Sequence, residues 1–163
     1  MLTMTFEEFE RGEWADGKEQ ECSIYVIKDG ETFLYIGKTR QHVLDRWFGA
    51  CGHMPYGDYE YRSFFSTIGR RIADNMPDSK KYTVELYALE EAKETVRAEI
   101  EERNFCYDRI GLGYCEQLMI LKHKPFDNTT YNPSPQTWQG KEDKLTFREP
   151  LNVGLFLEEA PNA

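Results

Sequence analysis

Two apolar, β-prone runs flank Asp29-Gly30 and constrain the fold more than any other stretch of the chain. The segment reads Cys22-Ser23-Ile24-Tyr25-Val26-Ile27-Lys28-Asp29-Gly30-Glu31-Thr32-Phe33-Leu34-Tyr35-Ile36-Gly37-Lys38-Thr39. Asp-Gly between such runs is a favoured two-residue hairpin turn. The pattern therefore predicts strands over residues 23–28 and 32–37, with the turn at 29–30. In that register Lys28 faces Glu31 and Tyr25 faces Leu34. A shift of one position, as by a bulge, brings Tyr25 and Tyr35 side by side on one face. Two phenols, then Gly37 permitting close backbone approach, then Lys38 and Thr39, suit a surface that handles phosphate.

Two further motifs follow in order. Arg46 comes nine residues after Gly37, on a stretch where Val43, Leu44, Trp47 and Phe48 recur at helical spacing. This predicts a helix over residues 41–48, with Arg46 beside the apolar stripe. The third motif is Glu116-Gln117-Leu118-Met119-Ile120-Leu121-Lys122-His123-Lys124-Pro125-Phe126-Asp127-Asn128. Glu116 leads Ile120 by 4, Pro125 by 9 and Asn128 by 12 residues. Taken singly, each residue has a plainer reading: a cross-strand aromatic pair, solvated helix residues, a turn or helix-end Asn. The joint order and spacing favour the functional one.

In that order the motifs resemble the GIY-YIG nuclease family, with Ser23 in place of the first glycine. The resemblance spans residues 23–132, and 49–115 match only in outline. It implies an α/β (α+β) fold, a small three-stranded antiparallel sheet flanked by helices, with N- and C-terminal extensions over 1–22 and 133–163. It implies a metal-dependent endonuclease that hydrolyses phosphodiester bonds in DNA. Glu116 would hold one Mg²⁺ (or Mn²⁺), a hard cation that keeps most of its waters. Arg46 would contact a non-bridging phosphate oxygen with its planar fork. Tyr25 is the expected general base or water-positioning group, and Tyr35 would orient the water or phosphate. A phenol titrates near 10, so Lys38 is expected to lower the Tyr25 pKa. His42 is a second candidate proton acceptor, while Gly37 and Asn128 are structural. The charged stretch after residue 89 is longer than the family's link. That makes Glu99, Glu101 and Glu102 rivals to Glu116, and the Pro125 and Asn128 spacing selects Glu116.

Charge speaks against a nucleic-acid binder. The 163 residues carry a net −9, whereas phosphate contacts from Lys and Arg supply most nucleic-acid affinity. The acid is unevenly spread. Residues 1–22 hold seven acidic and two basic groups, and residues 23–88 hold eight and nine. Lys38, Arg40, Arg46, Arg62, Arg70, Arg71, Lys80 and Lys81 are candidates for a local basic face, with Arg40, Arg62, Arg70 and Arg71 read as DNA contacts. The charge balance also favours a protein partner or homodimer. It supports a second function class, a GIY-YIG-fold binding or regulatory module without efficient cutting.

The remaining signals are brief. No stretch approaches 18 apolar residues, so no membrane span is expected, and an intracellular (cytoplasmic) location follows from the acidic N-terminus. Four cysteines lack C-x-x-C spacing and are expected reduced. Cys51-Gly52-His53 lacks a second close pair and makes no zinc motif. Thr5-Phe6-Glu7-Glu8 has capping-box spacing. Helices are expected over 62–75 and 89–108, with a third strand over 82–88. Residues 133–135 read as a linker, and 151–157 as an apolar strand or docking segment.

Overall fold

The computed structural model describes residues 1–16, 21–55 and 66–129. Its elements run β1 (Leu2–Thr5), α1 (Phe6–Arg11), β2 (Ile24–Asp29), β3 (Thr32–Lys38), α2 (Val43–Phe48), α3 (Thr67–Asp74), β4 (Thr83–Tyr87), α4 (Leu89–Thr95), α5 (Arg97–Glu102), α6 (Leu112–His123) and α7 (Phe126–Thr129). The mixed α/β class expected from the sequence is present. Three of its features differ from expectation.

The sheet has four antiparallel strands, in the order β1-β4-β2-β3. The additional strand comes from the segment read as an acidic extension. Leu2 faces Leu86 and Thr5 faces Thr83. Thr5 then caps α1 with a complete capping box, its side chain and that of Glu8 each bonding the other's backbone N–H. Phe6 and Phe9 on this helix are fully buried. The acidic groups lie on the outer side of α1, so the count of charges concealed an amphipathic element.

The hairpin turns one residue later than expected, on Gly30-Glu31, with Asp29 facing Thr32. Gly30 has φ +60°, a value that favours glycine at the first position of such a turn. A bulge then shifts the register between Ile27 and Lys28, leaving Leu34 without an opposite residue. Ile27 faces Tyr35 and Tyr25 faces Gly37. The two tyrosines thus share one face as diagonal neighbours, their ring centroids 6.2 Å apart.

The charged helix expected over 89–108 is interrupted at Val96 (φ −120°, ψ 21°), giving α4 and α5. Val96 and Ile100 are fully buried, so the break directs both short helices' apolar residues at the sheet.

The sheet separates two cores. Tyr25, Ile27, Val84 and Leu86 pack with Phe6, Phe9, Trp47, Phe48, Ile68 and Ile72 from α1, α2 and α3. Ile24, Val26 and Ile36 pack with Ala92, Val96, Ile100, Leu118 and Met119 from α4, α5 and α6. Strand β2 is buried on both faces because it feeds both layers, which explains its continuous apolar run. The apolar segment 151–157 and the linker before it lie outside the described residues.

Phe6 meets Phe9, Trp47 and Phe48 at centroid distances of 5.8–6.1 Å. Phe6→Ala is expected to lower stability by about 3–5 kcal/mol in urea unfolding. An unchanged midpoint would show that the N-terminal segment is an appendage after all.

Candidate active site

The site is built on one sterically tight contact. The Tyr25 ring lies over Gly37, and a Cβ at that position would sit 2.5 Å from the ring. Only a residue without a side chain lets the ring of the central strand reach this place. Glycine in the second tyrosine triplet therefore has a packing reason independent of any resemblance.

Tyr25 ends on a histidine that the sequence reading did not select. His53 is fully buried, and its Nε2 lies 2.6 Å from the Tyr25 hydroxyl. Its Nδ1 lies 2.5 Å from Ser66 Oγ, and Ser66 is the N-cap of α3. The backbone fixes this imidazole against α2, since His53 and Met54 donate to the carbonyls of Arg46 (3.2 Å) and Trp47 (2.7 Å). Two glycines allow the close passage, Gly52 against the Trp47 and Arg46 carbonyls and Gly69 against the His53 carbonyl. Burial, with the Arg46 charge beside it, holds the His53 pKa well below 6.5. The ring is therefore neutral, with one nitrogen a donor and the other an acceptor, held between the Ser66 and Tyr25 hydroxyls.

The phenols correct the expectation of a lowered pKa. Burial pushes Tyr25 well above 10, Tyr35 adds to the rise, and Arg46 opposes it. Tyr35 is pushed up to about 12 by burial and then by Glu116, against the pull of Arg46. Lys38 instead turns to Glu116, with Nζ 3.9 Å from its Oε1. Neither tyrosine is an anionic base at neutral pH. Tyr25 is a hydroxyl already bonded to a neutral imidazole.

Glu116 lies early in α6 with its side chain one-fifth exposed. Burial raises its pKa to about 7, although Lys38, Arg46 and the Lys38 backbone N–H all pull it down. It is a carboxylate whose desolvation exceeds the positive charge around it. No group of three or more metal-ligating side chains occurs among the described residues. One hard oxygen donor with a deficit of positive charge fits a Mg²⁺ or Mn²⁺ ion that keeps most of its waters. The rival Glu101 and Glu102 are exposed on α5, and Glu99 pairs with Lys122 at 3.6 Å.

Arg46 is the electrostatic centre. Its charge acts on Tyr25, Tyr35, His53 and Glu116 alike. With Lys38, Thr39, Arg40 and Gln41 it lines an open cleft of about 450 Å³. The structure thus gathers Tyr25, Tyr35, Lys38, Arg46 and Glu116, as the motif order anticipated.

Other assignments change. His42 is the N-cap of α2, its Nδ1 accepting from the Leu44 N–H at 3.1 Å, and it stacks on Trp14. The contact to the Tyr25 hydroxyl belongs to His53. Arg71, read as a DNA contact, is paired with Asp127. Arg70 is exposed on α3 and Arg40 on the cleft rim, while Arg62 lies outside the described residues. Asn128 is more than a turn residue. Its Oδ1 accepts from the Ile36 N–H at 2.9 Å and its Nδ2 donates to the Ile36 carbonyl at 3.0 Å, closing the outer edge of β3. The sequence marks His53 only by its place seven residues after Arg46, directly after Gly52 and ahead of Ser66, the N-cap of α3. No family model, no curated protein and no solved structure matches the chain.

The depressed His53 pKa has a stability consequence. The unfolded chain takes up a proton near pH 6.5 that the folded chain refuses. The unfolded state then binds more protons, so this contribution is present above pH 6.5 and is lost as pH falls below it. Urea midpoints of wild type should fall more steeply from pH 7.5 to 5 than those of His53→Gln. Parallel profiles would mean that His53 is protonated as readily in the fold as outside it.

Proposed function

We propose that the chain is a GIY-YIG-type endonuclease that hydrolyses phosphodiester bonds in DNA with the help of one divalent cation. The observation that carries this reading is the convergence of two phenols and a desolvated carboxylate from β2, β3 and α6 on Arg46 of α2 and Lys38 of β3, the two cations that line a basic cleft. These groups span residues 25 to 116, and each type has a task in phosphate-ester hydrolysis.

The DNA backbone enters the cleft at Arg46, Arg40 and Lys38. Arg46 binds a non-bridging oxygen of the scissile phosphate and opposes the charge that grows there. Water approaches beside the tyrosines, with Tyr35 fixing its direction. Tyr25 accepts a proton from that water as its own proton passes to His53 Nε2, and Ser66 holds the imidazole in the required tautomer. This relay needs no tyrosinate, which is why two high-pKa phenols suit it. Glu116 would hold Mg²⁺ or Mn²⁺, which when bound supplies Lewis-acid stabilisation of the phosphate and leaving oxygen. Lys38 keeps Glu116 directed at the cleft.

A second reading, a binding or regulatory module without efficient cutting that acts with a protein partner, is favoured by the net −9 and by the exposed Glu90, Glu91, Glu94, Glu101 and Glu102 of α4 and α5. Among the described residues no helix is long and apolar enough to cross a membrane, so membrane binding adds nothing to either reading.

Plasmid and branched DNA, incubated with Mg²⁺, Mn²⁺ or EDTA, separates the two. Metal-dependent nicking is expected, and Glu116→Gln should abolish it with the fold intact. Arg46→Ala should slow turnover by about 10²–10³, with little rescue by Arg46→Lys. Tyr25→Phe and His53→Ala should each cost about 10²–10⁴, the usual worth of a proton-transfer group. Retained activity in His53→Ala would remove the relay. Absence of cutting in every metal, with DNA still bound, would favour the module.

A further inference from the structure

We propose that the ion pair between Arg71 and Asp127 is a positioning device for the candidate site, linking helix α3 to the Asn128 clamp and so setting the place of the β3 edge. The kinetic half of this proposal rests on the nuclease reading, and the structural half rests on geometry alone.

Asp127 has a fully buried side chain, and Arg71 Nε reaches both of its oxygens, at 2.9 and 2.8 Å. The guanidinium also lies 4.7 Å from the centre of the Phe126 ring. A buried carboxylate needs such a partner, because removing the cation leaves an uncompensated charge. The next residue is Asn128, whose amide makes both hydrogen bonds to Ile36. Ile36 sits between Tyr35 and Gly37, and Lys38 follows. A displacement of Asp127 is therefore passed in one residue to the clamp and in one more to the site. The Asp127 charge acts on Tyr35 directly, raising its pKa.

The other end of the same helix holds the proton acceptor. Ser66, the N-cap of α3, bonds His53 Nδ1, and Gly69 lets the helix lie against the His53 backbone. Helix α3 thus has one end on the Tyr25–His53 pair and the other on the strand that carries Tyr35 and Lys38. It fixes their separation.

Amide hydrogen exchange on the full chain tests the structural half, and steady-state nicking of plasmid DNA with Mg²⁺ tests the kinetic half. The variants are Arg71→Ala, Arg71→Lys and Asn128→Ala. Exchange at Ile36 should rise roughly tenfold or more in Arg71→Ala and Asn128→Ala, as the loss of charge-assisted or paired hydrogen bonds implies. Amides of the central strand β2 should stay unchanged. Arg71→Lys should lie between, since a point charge replaces the planar fork. In Arg71→Ala, kcat should fall with KM unchanged. Unchanged Ile36 exchange, or a rise matched by β2, would overturn the proposal. So would a raised KM at constant kcat, which would make Arg71 a DNA contact. If wild type cuts nothing but Ile36 still loosens selectively in Arg71→Ala, the nuclease reading fails and the positioning role stands.

Discussion

The approach of the Tyr25 ring to Gly37 is the contact on which the rest of the site depends. It needs a bare backbone on β3, a bulge that puts Tyr35 beside the ring, and a central strand buried on both faces. Given those, the Tyr25 hydroxyl is delivered to His53 and the Tyr35 ring is stacked alongside. The strand cannot slip, because a one-residue slip would turn every inward side chain outward. The Asn128 amide closes the outer edge at Ile36, where another strand would otherwise pair. Backbone position and side-chain chemistry are thus set by the same few atoms.

Electrostatics explains why the site costs stability. Burial raises both phenols and Glu116 and depresses His53; Arg46 opposes the first three, joined by Lys38 at Glu116, and reinforces the fourth. Perturbed groups of this kind gather where chemistry is done, although structural networks also produce them. Here the perturbed groups surround Arg46, which with Lys38 and Arg40 lines a basic cleft, whereas α4 and α5 expose an acidic surface. The net charge of the chain is therefore a poor guide to the surroundings of Arg46, because exposed charges act over only about 10 Å at ordinary salt.

Much of this was legible in the sequence, for identifiable reasons. The Thr5 capping box, the hairpin and the helix bearing Arg46 depend on near neighbours, and local rules recover them. The place of Gly37 opposite Tyr25 was approached through the bulge but not its position, because the later turn at Gly30 moved the register by two residues and the bulge at Leu34 by one more. Three features depend on residues far apart in the chain and could not be read. The strand β1 is short and its partner, β4, begins at Thr83. His53 gains meaning only from Tyr25 and Ser66, and Arg71 only from Asp127. The composition count also misled, since it summed the charges on α1 without noticing Phe6 and Phe9 beneath them.

That early strand has a consequence for how the polypeptide is made. Leu2 faces Leu86 and Thr5 faces Thr83, so β1 must wait for the fourth strand before it can pair. The hairpin of β2 and β3 can close locally, but both its outer partner and the floor under Phe6 arrive much later. Contacts so distant in sequence slow folding, because loop closure comes before the reward of pairing. During that interval the apolar side of α1 has Trp47 and Phe48 to pack on but not the sheet beneath them. Nascent protein should therefore be most vulnerable to aggregation, and most in need of a holding chaperone, until β4 has emerged.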